Sequence, residues 1–448
     1  MKPTYEQLEQ IILELKAEIE RLKARLNKNS TNSSKPPSSD QKSNTQKNAR
    51  SQKQRAHHPG IGRQLLPEHM VTSRETRGLN TCPRCQSQME STGKSLKWQQ
   101  VDLPQIKPLV HEIELLTCKC TKCSLTHTPS LGDSEIFLMG PRLEGFVNLL
   151  MAQFRHSHLA VRTFIQLLIP GLHLSQGLIS KAKRRGAQAF DQASSQLAEA
   201  ILASIGPKFA DVTGWRHMGQ NWNALILRSP IVIRYFLIEK QNGTSLAEVL
   251  QQGPHFLVSD RGLATQKIDT KHLQYCLAHF LRNVQGMAES PEISLEETQV
   301  LGEIHETLQA LFHEKNRYQK NELGLSAWRQ YGYQKWAWMR QTFNSLLYSS
   351  ASCTLRRFCK RALADWKHFM VYLAQNGPMT NNLAEEGLRH LVIARKLCFG
   401  SRSGYGLRWR EAVQSCVETL KRQGKSMMDF FAETIRAFRI GTPHPRIV

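Results

Sequence analysis

Between residues 206 and 280 the hydrophobic pattern takes a form that only a sheet can absorb. Three apolar, β-branched runs follow one another, KFADVTGW, NWNALILRS and IVIRYFLIE, separated by turn-like breaks. A helical stretch, SLAEVLQQG, comes next, and then PHFLVSDRG, a fourth strand ending at Asp260. HLQYCLAHF reads as a fifth strand running into a helix. The order predicts a mixed-sheet α/β unit, with Asp211 inside its first strand and Asp260 at the end of its fourth.

Three strands, a helix and a further strand is the opening order of a ribonuclease-H-like fold. Neighbouring positions on the first and fourth strands would set the two carboxylates side by side, where ionised groups repel. A pair of divalent cations removes that repulsion, and two hard metals roughly 3.5–4 Å apart activate water or a 3′ hydroxyl and steady a leaving oxygen. Two Mg2+ (or Mn2+) ions suit the chemistry, since they take few carboxylates and leave positions open for phosphate oxygens. A third acid is needed, and Glu385 and Glu386 in TNNLAEEGLRHLVIARK, a helical stretch well downstream, are the candidates. Taken singly, an Asp at a strand end is a turn or cap residue, and paired glutamates coat a solvated helix face. Their order and setting argue for catalysis.

Charge points to the substrate. In 448 residues, Lys and Arg outnumber Asp and Glu by 60 to 37, a net charge of +23. Such a surface attracts a polyanion by releasing condensed counterions, so DNA is the expected partner and an acidic membrane surface the alternative. No stretch reads as a secretory signal or a transmembrane span, so the expected location is cytoplasmic, associated with DNA.

The remaining chain divides by composition. Residues 1–27 carry a heptad seam, Tyr5, Leu8, Ile12, Leu15, Ile19, Leu22 and Leu26, expected to form a coiled-coil helix that self-associates or docks on its own chain. Residues 28–64 are a basic, Ser- and Asn-rich flexible linker. In 65–130, Cys82-Pro-Arg-Cys85 and Cys120-Thr-Lys-Cys123 have the spacing of two zinc knuckles, with Cys118 a spare candidate. Alternating apolar residues in WQQVDLPQIKPLVHEIELLTC suggest strands between them. Residues 131–205 read as helices with KAKRR at 181–185, compatible with a helix-turn-helix that binds DNA or with plain packing. The catalytic core would span 206–405 with a helical insertion at 291–375, and C-terminal helices would fill 406–448. In the insertion Leu301, Ile304, Leu308 and Leu311 form a helical stripe, and Trp328, Trp336, Trp338 and Trp366 pack a core or stack on bases.

These motifs together carry a resemblance. The heptad helix, NSSKPPSSD at 32–40, the paired knuckles, ADVTGWRHMG, LVSDRG, CLAHFLRN, NNLAEEGLRHLVIARK, FGSRSGYG and the final VETLKRQGKSMMDFFAETIRAF are similar to the large, DDE-type transposase of the insertion sequence 66 family. The resemblance covers nearly the whole chain. It implies catalytic, metal-binding acids at Asp211, Asp260 and Glu385, the last chosen over Glu386 by its register after Asn381-Asn382-Leu383-Ala384. His279, three residues after Cys276, matches the family's Cys-x-x-His element and is expected to hydrogen-bond the scissile phosphate or orient an acid, or else to be a satisfied core histidine. Arg389, Arg395 and Lys396 would hold DNA, or else form surface ion pairs. Val212, Leu277, Met379-Thr380 and Glu386 depart from the family pattern without removing a presumed ligand. The implied activity is binding of terminal inverted repeats, strand cleavage and strand transfer into target DNA, by a homo-oligomer working with small accessory proteins of the same element. A catalytically inactive, transposase-derived DNA-binding regulator and a nuclease that does not join strands are the alternatives.

Overall fold

The computed structural model describes residues 65–133, 136–239, 256–262 and 272–448, with eight further positions among the first 22. Of the heptad seam, Tyr5, Ile12, Leu15, Ile19 and Leu22 are helical and exposed. Leu8, Leu26, the 28–64 linker and SLAEVLQQG lie outside the described residues. The chain forms two compact units, residues 41–112 and residues 1–40 with 113–448.

In the smaller unit, Leu66 and Gln99 exchange hydrogen bonds of 2.7 and 3.1 Å, and a single bridge joins Thr81 to Gln88 around the first cysteine pair. The strands expected from WQQVDLPQIKPLVHEIELL do not form. The alternation is there, but Leu103, Leu109 and Val110 are exposed, and Pro104 and Pro108 each remove a ladder donor. An alternating run becomes a strand only beside a partner strand.

From residue 113 on, the larger unit opens with a two-stranded antiparallel ladder, β1 (Cys118–Lys119) and β2 (Thr126–His127). Four helices follow: α1 (Pro141–Ala152), α2 (His158–Leu168), α3 (Gln176–Ala189) and α4 (Asp191–Ala203). Pro141 sits in the first turn of α1, where a missing N–H costs nothing. Ser157 and Ser175 cap α2 and α3 by accepting backbone N–H groups at 3.1 Å. Within KAKRR only Lys181 and Arg184 are exposed, while Lys183 lies against Trp409 and Arg185 against Glu144.

The sheet comprises β3 (Lys208–His217), β4 (Gln220–Arg228), β5 (Ile233–Glu239), β6 (Leu257–Ser259) and β7 (Leu273–Tyr275), in the spatial order β5-β4-β3-β6-β7. β3, β4 and β5 are antiparallel, while β6 and β7 run parallel to β3. Met218 and Gly219, both at positive φ, make the two-residue hairpin between β3 and β4, whose twist matches that of the strands.

Beyond β7 lie α5 (Leu277–Ala288), α6 (Leu295–Gln319), α7 (Leu325–Ser349), α8 (Cys353–Ala364), α9 (Trp366–Phe369) and α10 (Val371–Gln375). Leu301, Ile304, Leu308 and Leu311 are fully buried in α6. Trp328, Trp336 and Trp366 are buried among Phe280, Phe343 and Phe369, and Trp338 packs partly buried against the same core. These tryptophans therefore serve packing. Then come α11 (Asn382–Cys398), α12 (Gly404–Gln423) and α13 (Met427–Ile440). Helix α11 lies close on the sheet because Gly387 has no side chain: a Cβ there would stand 2.3 Å from Ile226 Cδ1. Tyr235 Oη donates a 2.8 Å hydrogen bond to the Gly387 carbonyl and fixes that approach.

Candidate active site

The parallel register pairs Ala210 with Ser259, so the next residue on each strand, Asp211 and Asp260, falls side by side at the carboxyl end of β6. Burial and the nearby Asp260 push the Asp211 carboxyl up to about 7, with Glu385 adding to the effect and the Val212 N–H opposing it. Asp260 is raised by burial as well, while His279 and the Gly262 N–H pull it back.

Glu385 enters from the first turn of α11. Its Oε1 lies 3.5 Å from His279 Nδ1 on α5, and both atoms are buried without a hydrogen-bond partner. Burial and the Arg282 charge lower the His279 pKa, which keeps the ring neutral and able to accept a proton or a metal. The ligand atoms of Cys276, His279 and Glu385 all lie within 4.8 Å of one another. Burial raises the Cys276 thiol, however, and its Sγ accepts the Asn381 N–H at 3.3 Å.

Glu386, one position on, faces elsewhere. It pairs with Arg228 at 3.0 Å and Arg422 at 3.4 Å, and the Arg228 bond holds its carboxyl below the ordinary range. Successive helical residues point about 100° apart, so only one of the two glutamates can face the aspartates. Arg389 and Lys396 are exposed on α11. Arg395 instead donates to the Gly214 carbonyl and to Thr213 Oγ1, bracing the helix on β3.

Two residues that the sequence reading assigned no role hold this arrangement. Asn381, 0% exposed, donates from Nδ2 to the Ala210 carbonyl at 2.8 Å, and Arg228 donates to the Leu383 carbonyl and to Glu386. A polar residue just before a helix was the available signal for Asn381; nothing in the sequence pairs Arg228 with Glu386.

Each cysteine pair closes a turn of the same construction. The N–H of Cys82 donates to Ser87 O and that of Gln86 to Cys82 O; the N–H of Cys120 donates to Leu125 O and that of Ser124 to Cys120 O. Gln86 and Ser124, each following the second cysteine, both adopt positive φ, 58° and 59°. The Cys123 N–H also points at Cys120 Sγ, at 3.4 Å, and helps lower that thiol's pKa.

No curated protein matches the chain. A model for a family of unknown function (DUF6444) matches residues 4–64, the heptad helix and the linker. The model of the transposase IS66 family matches residues 147–408, a span running from α1 into α12 and including Asp211, Asp260, His279 and Glu385. With more than half its length covered, the chain belongs to the transposase IS66 family.

Proposed function

We propose that this transposase is a DDE-type enzyme whose Asp211, Asp260 and Glu385 hold two Mg2+ (or Mn2+) ions and cut and join DNA. The observation carrying the reading is the convergence of three carboxylates from β3, from the end of β6 and from α11. The sheet order, with three antiparallel strands followed by two parallel ones, supports a ribonuclease-H-like core.

The donor set fits hard cations. Two buried, adjacent carboxyls that resist ionisation and a buried Glu385 oxygen with no hydrogen-bond partner leave a demand for positive charge. Bound there, the metals would activate a water or a 3′ hydroxyl and stabilise the leaving oxygen. Asp211 and Asp260 then act as anions on a rigid sheet, and Glu385 closes the site from the helix. His279, beside Glu385, orients that carboxylate or hydrogen-bonds the scissile phosphate. Arg389 and Lys396 offer charge to the DNA backbone, with Arg395 contributing from its brace on β3. The substrates are the element's terminal inverted repeats and target DNA. Exposure of the heptad residues supports self-association through the N-terminal helix, which would pair two DNA ends. Each cysteine turn offers a thiol pair to structural zinc, Cys82 with Cys85 and Cys120 with Cys123.

Magnesium-dependent nicking of terminal-repeat DNA tests the reading. Asp211→Asn should abolish nicking, and unchanged nicking would rule out the assignment. Joined products from pre-cut ends separate a transposase from a nuclease that only hydrolyses.

A further inference from the structure

The FGSRSGYG turn closes a pocket unrelated to the three carboxylates. It has a volume of about 250 Å³ and is lined by Lys183, Cys398, Arg402, Ser403, Tyr405 and Arg410 among others. Two of its cations share one indole: Lys183 Nζ lies 4.7 Å from the Trp409 ring centroid and Arg410 Cζ 4.9 Å. Trp409 is itself fixed, donating from Nε1 to Asn148 Oδ1 at 2.7 Å. Arg410 is 8% exposed and its one hydrogen bond to a side-chain oxygen goes to neutral Gln414, at 3.1 Å. Among the described residues no carboxylate pairs with either cation; Arg410 acts on Lys183 and Arg155 on Arg410, both as like charges, and the Cys398 side chain is a hydrogen-bond partner of Arg410. Desolvation and Arg410 accordingly lower Lys183 to about 8.

Buried positive charge of this kind costs several kcal/mol unless an anion meets it. The turn around it is built to stay in place. Gly400, at φ +111°, permits an approach in which a Cβ would stand 2.1 Å from the Arg216 carbonyl. Ser401 is stitched to β3 by its N–H to Arg216 O and its carbonyl from Met218 N–H, both 2.8 Å, and its Oγ accepts the Trp215 indole N–H at 3.2 Å.

We infer that this pocket binds a phosphate group of the DNA that flanks the cleavage point, clamped between Lys183 and Arg410 under the Gly400–Gly406 turn. Six residue steps along β3 lead from Asp211 to His217, which bridges to Ser401, so the pocket lies roughly 20 Å along the strand from the carboxylates. That distance corresponds to about six backbone phosphates of one B-DNA strand. The pocket thus grips bound DNA away from the scissile bond. The choice of DNA as the phosphate's source rests on the proposed function; the anion site itself does not.

The test uses the full chain in phosphate and in chloride at equal ionic strength. Phosphate excluded from protein surfaces stabilises many folds slightly, so the readout is the difference between wild type and Lys183→Met. Phosphate should raise the melting temperature of the wild type and of Asp211→Asn, and raise that of Lys183→Met distinctly less. Equal shifts in wild type and Lys183→Met would overturn the site. With terminal-repeat duplex, Lys183→Met should bind about tenfold more weakly, with a salt dependence shallower by about one phosphate contact. A phosphate effect without any change in DNA affinity or salt slope would overturn the DNA assignment and leave a small phosphorylated ligand. Because Asp211→Asn keeps the phosphate response, loss of nicking in that variant bears on the catalytic reading alone.

Discussion

Asn381 Nδ2 donates a 2.8 Å hydrogen bond to the carbonyl oxygen of Ala210, the residue immediately before Asp211. Asn381 is fully buried at the start of α11, four residues before Glu385, so one side chain couples the helix of the third acid to the strand of the first. Removing it leaves a buried carbonyl short of a donor, at about 1–3 kcal/mol. Asn381→Ala should therefore lower the melting temperature and weaken nicking more than that stability loss explains, because Glu385 loses its registration with Asp211. Chemical denaturation beside nicking at saturating magnesium would separate the two effects; unchanged activity in a destabilised variant would reduce Asn381 to a packing role.

Metal-free protein should lose stability as pH rises from about 4 to about 7. Asp211 has a folded pKa of about 7 against an ordinary 3.8, so between those values the folded state holds a proton that the unfolded chain has released. The burial penalty is absent below about pH 4 and complete above about pH 7, where it amounts to roughly 4 kcal/mol at most. Divalent ions should cancel it. Manganese or magnesium should therefore raise the melting temperature more at about pH 8 than at about pH 5, and Asp211→Asn should flatten both the pH dependence and the metal response. A metal shift independent of pH in the wild type would contradict the placement of the cation at Asp211.

Glu385 and Glu386 should separate cleanly. Glu385→Gln removes a carboxylate that faces His279 at 3.5 Å and acts electrostatically on both aspartates, so nicking should fall by roughly two orders of magnitude or more with little change in stability. Glu386→Gln removes the partner of Arg228, whose side chain is 5% exposed, so stability should drop by about 1 kcal/mol while nicking persists. The opposite pattern in a nicking assay paired with thermal unfolding would transfer the third acid to Glu386.

What the sequence made legible follows the range of the interactions. Short apolar runs between turn-like breaks, the first three of them β-branched, located the five strands of the large sheet, since burial of a strand leaves a local signal. The cysteine spacings marked two turns because a knuckle is contained within a few residues. Contacts between distant segments left no such trace: Asn381 with Ala210 and Arg228 with Glu386 are set by how α11 lies on the sheet. The span from Trp98 to Leu116 misled for the same reason, since its alternation was real but among the described residues no neighbouring strand meets it. In KAKRR the charges looked equivalent, yet the turn of α3 puts Lys183 and Arg185 inward and Lys181 and Arg184 outward.

Protein purified without chelator should carry zinc. Both cysteine turns present the same pair of backbone hydrogen bonds and the same left-handed residue after the second cysteine, the construction expected of a zinc knuckle. Cys85→Ser and Cys123→Ser should each lower the zinc content measured by elemental analysis, and a thiolate–cobalt absorption band should appear on metal exchange. Wild-type protein free of zinc would sink the assignment. Cys353→Ser, outside either turn, should leave the content unchanged.

Glu144 should prove the most sensitive charged position in the helical region. It is fully buried in α1 and accepts two 2.8 Å hydrogen bonds from Arg185 on α3, while Arg439 on α13 reaches the same carboxylate. Glu144→Gln leaves two arginines facing one another with their shared counter-charge gone, at about 3–5 kcal/mol. The cost belongs to the unpaired cations more than to the lost contact. Glu144→Leu combined with Arg439→Met should therefore be more stable than Glu144→Leu alone, as apolar packing replaces part of the triad. Thermal unfolding of the two single variants and the double variant would measure the coupling; strict additivity would show that Glu144 and Arg439 do not act as a unit.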